Sequence, residues 1–252
     1  LTAVFLLATP LFAQDRIPSH CIALAENVPG VEYVHKAAWG DPLAKDWVRL
    51  NYVGHSTFAI ETPGGLLVAT DYAGSVGAPD IVPDVVTMNH AHATHFTPSP
   101  DPRITHVLRG WGDGFGEPAD HYLDLGEMLV RNVTTDIRSF GGSEENGNSI
   151  FVFEVAGLCI GHLGHLHHEP TPAQFAMIGR LDVVMAPVDG GMTLDLPTMI
   201  RTLKRFRASV VLPMHWFGDG TLEHFVNGMS DEFEIVWAGK NSIDLSLETL
   251  PP

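Results

Sequence analysis

The chain has 252 residues, 45% of them hydrophobic, with 14 Lys plus Arg against 30 Asp plus Glu and a formal net charge of −16. That length suits one large α/β domain or two small ones, and the apolar share can build a sizeable core. The acidity repels nucleic acid and anionic membrane surfaces, and two cysteines, Cys21 and Cys159, are too few for a thiolate zinc site or a disulfide scaffold.

Residues 1–13 form an apolar run ending in Ala13, after which the chain turns polar at Gln14 and Asp15. This reads as the remnant of a secretory signal with its start cut short, cleaved after Ala13. It leaves residues 14–252 as the mature domain, periplasmic or secreted. No apolar run is long enough to span a membrane. In an oxidising compartment Cys21 and Cys159 either pair or stay as two separate thiols, Cys159 within a buried strand.

Residues 14–46 are irregular, punctuated by Pro18, Pro29, Gly30 and Pro42. Alternation then predicts strands over 47–53 and 56–61, a turn at Pro63-Gly64-Gly65, and a strand over 66–69 ending at Asp71. Short apolar runs predict strands at 85–88 and 104–108. A hairpin is expected from 124–130 and 133–137, and a strand–turn–strand unit from 149–155 and 158–160. Residues 172–179 read as a helix capped by Thr171. A strand at 183–186 precedes a helix at 196–206, whose basic end suits its C-terminal dipole. A last strand, 209–212, stops at Pro213-Met-His215. Strands come first, then strands alternating with helices, which predicts two sheets packed face to face with helices outside.

Fourteen histidines are many for this length, and they cluster. The densest run is Asn89-His90-Ala-His92-Ala-Thr94-His95, at the end of the 85–88 strand. Side chains of an extended segment alternate, so His90 and His92 share one side, and His95 can reach in from the following turn. His162-Leu-Gly-His165-Leu-His167-His168 follows a second apolar strand and His215 a third. Strand ends are rigid platforms for chemistry, and three of them finishing in His imply one shared pocket. Neutral imidazoles suit Zn, Fe, Ni or Mn.

These segments resemble a known family. His90-Ala-His92-Ala-Thr94-His95 is similar to the His-x-His-x-Asp-His signature of the metallo-β-lactamase fold superfamily. Gly54-His55-Ser-Thr-Phe-Ala-Ile60 with Asp71, His162-Leu-Gly-His165, Ala186-Pro-Val-Asp-Gly-Gly191 and Leu212-Pro-Met-His215 match, in order, motifs of its branch that includes the ascorbate-phosphate lactonases. The resemblance covers roughly residues 47–218. It implies an α/β fold, a four-layer αββα sandwich of two mixed sheets. It further implies a hydrolase acting on a small ester, lactone, amide or phosphoester, with one or two divalent ions, Zn first, Fe or Mn as alternatives.

By the same resemblance His90 and His92 stand where ligands of the first metal stand, His95 and His215 where ligands of the second stand, and His165 in place of the bridging Asp. Thr94 replaces the signature Asp, and Arg138-Ser-Phe-Gly-Gly142 carries no middle His, so a single metal or an all-His pair is expected. Asp189, between residues that can flex, is the candidate general acid or base, or a substitute ligand. Asp71 is expected to orient a metal-binding His. His55 is expected to pack near the site, His162 to be a minor candidate, and His167 and His168 to line the mouth or stay solvated. The Gly-rich stretch 109–116 reads as a flap, with Trp111 and, beside His215, Trp216 lining a substrate pocket. The alternative to a hydrolase is an exported metal-binding protein or an oxidoreductase with a His-rich iron site.

Overall fold

The computed structural model describes residues 19–23, 40–139 and 141–251; the segment read as a secretory signal lies outside them. A short helix α1 (His20–Ala23) precedes the first sheet, built from β1 (Trp47–Gly54), β2 (Thr57–Glu61), β3 (Leu67–Ala69), β4 (Val85–Met88), β5 (His106–Arg109) and, from the far end of the chain, β12 (Ser242–Ser246). The order is β12-β1-β2-β3-β4-β5. Pairing is antiparallel from β12 to β3 and parallel from β3 to β5.

The second sheet takes β6 (Tyr122–Asp124), β7 (Met128–Ser139), β8 (Gly142–Val155), β9 (Leu158–His162), β10 (Val183–Pro187) and β11 (Val210–Met214), in the order β11-β10-β9-β8-β7-β6. It is antiparallel from β6 to β9 and parallel from β9 to β11. The parallel half is joined by helices, as parallel strands require a crossover: α2 (Pro172–Ile178) and α3 (Leu196–Phe206), with α4 (Asp219–Met229) after β11.

The sheets pack face to face. Val48, Leu50, Phe58 and Ile60 of the first meet Phe151, Phe153, Ile160 and Met185 of the second in one buried cluster. On the outside of the second sheet, Ile150, Val152 and Val184 are covered by Ile178, Met199, Leu203 and Phe225 from α2, α3 and α4. This burial on both faces explains the unbroken apolar runs of β9 and β10. The first sheet's outer face is covered, among the described residues, by irregular chain carrying Tyr72, Val76 and Ile104 rather than by helix.

Sequence and structure differ at two places. The hairpin expected from 124–130 and 133–137 turns earlier, at 125–127 between β6 and β7, and 131–132 lies inside β7, whose register with β8 shifts between Thr135 and Ile137. Between the partners of those two residues β8 carries two more residues than β7, from Asn148 to Glu144, a bulge that bends the ladder without ending it. Polar Arg131 and Asn132 are held inside by hydrogen bonds to Glu154 and Ser149. Strand β12 and helix α4 carry weaker patterns, and their place is set by pairing with β1 and packing against α3. Thr171 caps α2 as expected, in a full capping box with Gln174.

Cys21 and Cys159 form a disulfide, with Cα atoms 5.8 Å apart. It pins α1 to β9. Arg180 N–H donates to the Cys21 carbonyl (2.9 Å), and His20 N–H to Glu154 (3.0 Å).

Candidate metal centre

Each histidine cluster leaves the sandwich at the end of a strand on the same rim. β4 runs into Asn89, which is buried and has no freedom to turn. Its backbone N–H donates to Asp71 Oδ1 (3.1 Å) and its side chain to the Ser149 carbonyl (2.8 Å). The chain then turns tightly, with His92 N–H to His90 O (2.9 Å) and His95 N–H to His92 O (2.7 Å). This turn drives His95 into the interior, fully buried, and leaves His92 exposed. After β9, Gly164 adopts φ +61°, where a Cβ would collide with Asn148 and Asn89. Only glycine fits that turn, and it swings His165 back over the rim. After β11, His215 sits at φ +55° and donates its backbone N–H to the His55 carbonyl (2.9 Å). His55 and Asp71 also take left-handed backbone, at φ +53° and +48°. Such conformations cost about 1–3 kcal/mol each for non-glycine residues and gather at functional sites.

The rings converge. Centroids of His95 and His215 are 5.0 Å apart, of His55 and His215 4.2 Å, and of His165 and His95 4.7 Å. His90 and His92 form a neighbouring rank, 5.6 and 6.1 Å from His165. Residues separated by up to 160 positions, His55 to His215, therefore meet at one point.

A carboxylate only accepts hydrogen bonds, so it fixes the tautomer of a ring it touches. His95 Nδ1–H donates to Asp71, a buried pair, with Ser56 Oγ 3.1 Å from the same nitrogen. His215 Nδ1–H donates to Asp189 Oδ2 at 3.0 Å. Both rings thus present an Nε2 lone pair, and those two nitrogens lie 3.2 Å apart. Two lone pairs at that distance repel unless a cation sits against both. Two ligands of a tetrahedral zinc at Zn–N of about 2.0–2.1 Å are separated by roughly 3.3 Å. The His55 Nε2 is buried with no hydrogen-bond partner, and one ligand nitrogen each from His55, His95 and His215 all lie within 4.8 Å of one another. An orphaned buried nitrogen is costly. The donor set fits a divalent cation.

The electrostatics agree. Burial, and then the neighbouring His215 and His95, push His55 down to about 4, so it stays neutral and able to ligate. Burial alone would raise Asp71 and Asp189. For Asp71 the charge and hydrogen bond of His95 outweigh it; for Asp189 the hydrogen bonds from His215, Thr193 and Gly191 do, and both carboxyls are held well below their ordinary value.

Asp189, expected as general acid or base, has its side chain 2% exposed. Its oxygens already accept from the backbone N–H groups of Gly191, Met192 and Thr193 (2.9, 2.6 and 3.1 Å), from Thr193 Oγ1 (2.6 Å) and from His215. A carboxylate so fully engaged holds His215 and has no lone pair left for a substrate proton. Asp71 stands behind His95, where a histidine-orienting carboxylate was expected. His90 donates Nδ1–H to the Gly147 carbonyl (2.6 Å), and His92 Nδ1 lies 3.2 Å from Thr94 Oγ1. These two, and His165, are not part of the three-nitrogen group.

His162 has both ring nitrogens occupied, one donating to the Ser56 carbonyl (2.7 Å), the other accepting from Gly164 N–H (3.1 Å). His167 is buried rather than solvated. Trp111 packs edge-on against Phe96 (5.7 Å) in the cluster outside the first sheet. Trp216 stacks on Tyr52 (5.5 Å), whose hydroxyl donates to the His55 carbonyl (3.1 Å). Both aromatics are half-buried and engaged in these packing contacts. The exposed aromatic at the mouth is Phe217, 63% exposed and 5.1 Å from the His215 ring.

His55 is the residue that sequence reasoning undervalued. Its signal was present, since Gly54-His55 ends a strand as the other clusters do, but the decisive fact is its unpaired nitrogen.

The sequence profile of the beta-lactamase superfamily domain matches residues 49–215. A metal-dependent hydrolase of Thermoplasma volcanium is 21% identical over 191 residues, covering 67% of this chain and 83% of its own. A metal-dependent hydrolase of Methanospirillum hungatei is 25% identical over 189 residues, with the same coverage of 67% and 83%. Among solved structures, one from Thermotoga maritima, named a Zn-dependent hydrolase of the metallo-beta-lactamase superfamily, aligns with a TM-score of 0.52 at 25% identity over 74% of this chain and 86% of its own. A metallo hydrolase from Ignicoccus hospitalis aligns with a TM-score of 0.58 at 17% identity over 79% and 99%, a likeness of fold. The profile match runs from β1 to His215, spanning both sheets and every residue of the three-nitrogen group, and the chain belongs to the metallo-β-lactamase superfamily.

Proposed function

We propose that the protein is a metal-dependent hydrolase of a small ester, lactone, amide or phosphoester, with its cation held by His55, His95 and His215. The observation that carries this reading is the facing pair of carboxylate-backed Nε2 lone pairs, 3.2 Å apart, beside the orphaned His55 nitrogen. A divalent cation there would polarise a carbonyl or phosphoryl oxygen and acidify water.

The chain's own groups do the rest. Asp71 and Asp189 hold His95 and His215 in the ligating tautomer and raise their basicity. Tyr52 and Trp216 brace the His55 turn. Phe217 presents an apolar surface at the mouth for a substrate's hydrocarbon part. His90 and His92, with no third nitrogen from the 138–142 segment, offer a weaker second position. Zinc suits an all-imidazole set, and iron or manganese are the alternatives. The disulfide supports action in an oxidising compartment, periplasmic or secreted. No described helix is long and apolar enough to cross a membrane. The names of the relatives, metal-dependent hydrolases, support the reaction class.

The test is metal analysis of untagged protein together with a screen of chromogenic esters, lactones, phosphoesters and β-lactams. Turnover abolished by chelator, restored by zinc, and lost in His95→Ala is the expected result. Bound metal with no hydrolysis in any class, and an absorption change under reductant or oxygen, would favour an oxidoreductase instead.

A further inference from the structure

His165 differs from its neighbours in what stands behind it. His95 and His215 each have a carboxylate at Nδ1 and His90 a carbonyl, all acceptors. Behind His165 stands another ring, with His165 Nδ1 2.7 Å from His167 Nε2. The backbone N–H of Arg138 points at the far nitrogen of that ring, His167 Nδ1, at 2.7 Å. A backbone N–H can only donate. His167 Nδ1 must therefore accept, and the neutral ring carries its proton on Nε2. That proton is donated to His165 Nδ1, which must accept in turn. The proton of His165 then resides on Nε2; among the described residues, the hydrogen bond of this ring is the one its Nδ1 makes. His167 is 8% exposed and held in place, and Arg138 is locked by donating its guanidinium to the carbonyls of Gly191, Met192 and Thr193 (3.1, 3.2 and 2.6 Å).

We infer that His165 is a fixed Nε2–H hydrogen-bond donor beside the His55–His95–His215 group, not a metal ligand, and that it binds an anionic or developing-oxyanion oxygen of the substrate. Its ring lies 4.7 Å from His95 and 5.1 Å from His215, one substrate atom's reach from the metal position. To ligate through Nε2 it would have to shift its proton to Nδ1, where it would face the His167 Nε2–H. A donor pre-aimed at the place where negative charge grows is the arrangement of an oxyanion hole. The role rests on the hydrolytic reading of the centre; the tautomer does not.

Three measurements on the full chain decide it. Nitrogen-15 histidine spectra, zinc-free and zinc-loaded, should show His165 protonated on Nε2 in both; a proton on Nδ1 overturns the proposal. Titration with zinc should give His165→Ala the affinity of the wild type while His95→Ala loses binding; equal loss in the two variants makes His165 a ligand and overturns the proposal. His167→Glu places an acceptor behind His165, reversing its tautomer, and should add a zinc equivalent or tighten the first. Acetate, a carboxylate probe, should shift the His165 Nε2–H resonance of the zinc-loaded protein, and no shift removes the substrate contact. If the wild type takes up no zinc, iron or manganese, the hydrolytic reading fails, while the metal-free spectra still decide the tautomer.

Discussion

At the scale of the residue, what an imidazole does here is decided by the group on its other nitrogen. Asp71 and Asp189 turn His95 and His215 into lone-pair donors, while the Arg138 N–H, passed through His167, turns His165 into a proton donor. Replacing Asp189 by Asn keeps the volume but removes the charge and weakens the hold on His215. Zinc affinity should fall about 10–100-fold, read by competition with a chromophoric chelator. Unchanged affinity would return Asp189 to a proton-transfer role. His55→Ala should lose zinc more completely, because no other described side chain offers the third nitrogen. The sequence showed that these histidines exist and that each follows a strand. It could not show which nitrogen of each ring is free, because tautomer depends on a partner up to 106 residues away, as with His162 and Ser56.

At the scale of the element, the same chain segments both make the core and aim the site. β4, β9 and β11 were legible from short apolar runs, and the histidines at their ends followed. β7 was misjudged because its charged residues are buried. Arg131 and Glu154, with side chains 5% and 1% exposed, pair at 2.7 Å across β7 and β8, and Arg131 also donates to the last carbonyls of α2, Met177 and Ile178. A buried pair has no signature in the hydrophobic pattern. Burial would raise Glu154; the Ser19 and Arg131 hydrogen bonds outweigh it and lower it. Glu154→Leu leaves Arg131 charged without its partner and should destabilise by about 3–5 kcal/mol in urea unfolding. A change under 1 kcal/mol would mean that Arg131 reaches water. Thr171→Ala removes the α2 cap and should cost about 1 kcal/mol.

At the scale of the whole molecule, protons and covalent links tie the site to stability. His55, His90, His162, His165 and His167 are all lowered from their ordinary value, with burial as the first cause in each. Unfolded, they would bind protons near pH 6.5. Their contribution is therefore fully present above that pH and is lost as pH falls towards about 4, where His55 and His167 titrate in the fold. The Tm of metal-free protein should drop steadily from pH 7 to pH 5, and zinc should oppose the drop until protons displace it. A flat profile would refute the burial of these rings. The disulfide closes 138 residues, a loop whose restriction in the unfolded chain is worth about 5 kcal/mol by the chain-entropy estimate. Cys21→Ser with Cys159→Ser should lower the unfolding midpoint strongly. Zinc stoichiometry should persist, since neither cysteine belongs to the His55–His95–His215 group.

By itself the sequence determined the class of architecture, the strands that end in histidine, and the family, because apolar periodicity and motif order are local properties carried by neighbouring residues. It also supplied both readings of Cys21 and Cys159 without choosing between them. The tertiary structure decided the pairing of those cysteines, the gathering of His55 with His95 and His215, and the opposite proton placement on His165. Each of these depends on groups that meet only when two sheets close on one another, and a hydrogen bond's direction is set by the partner it finds there.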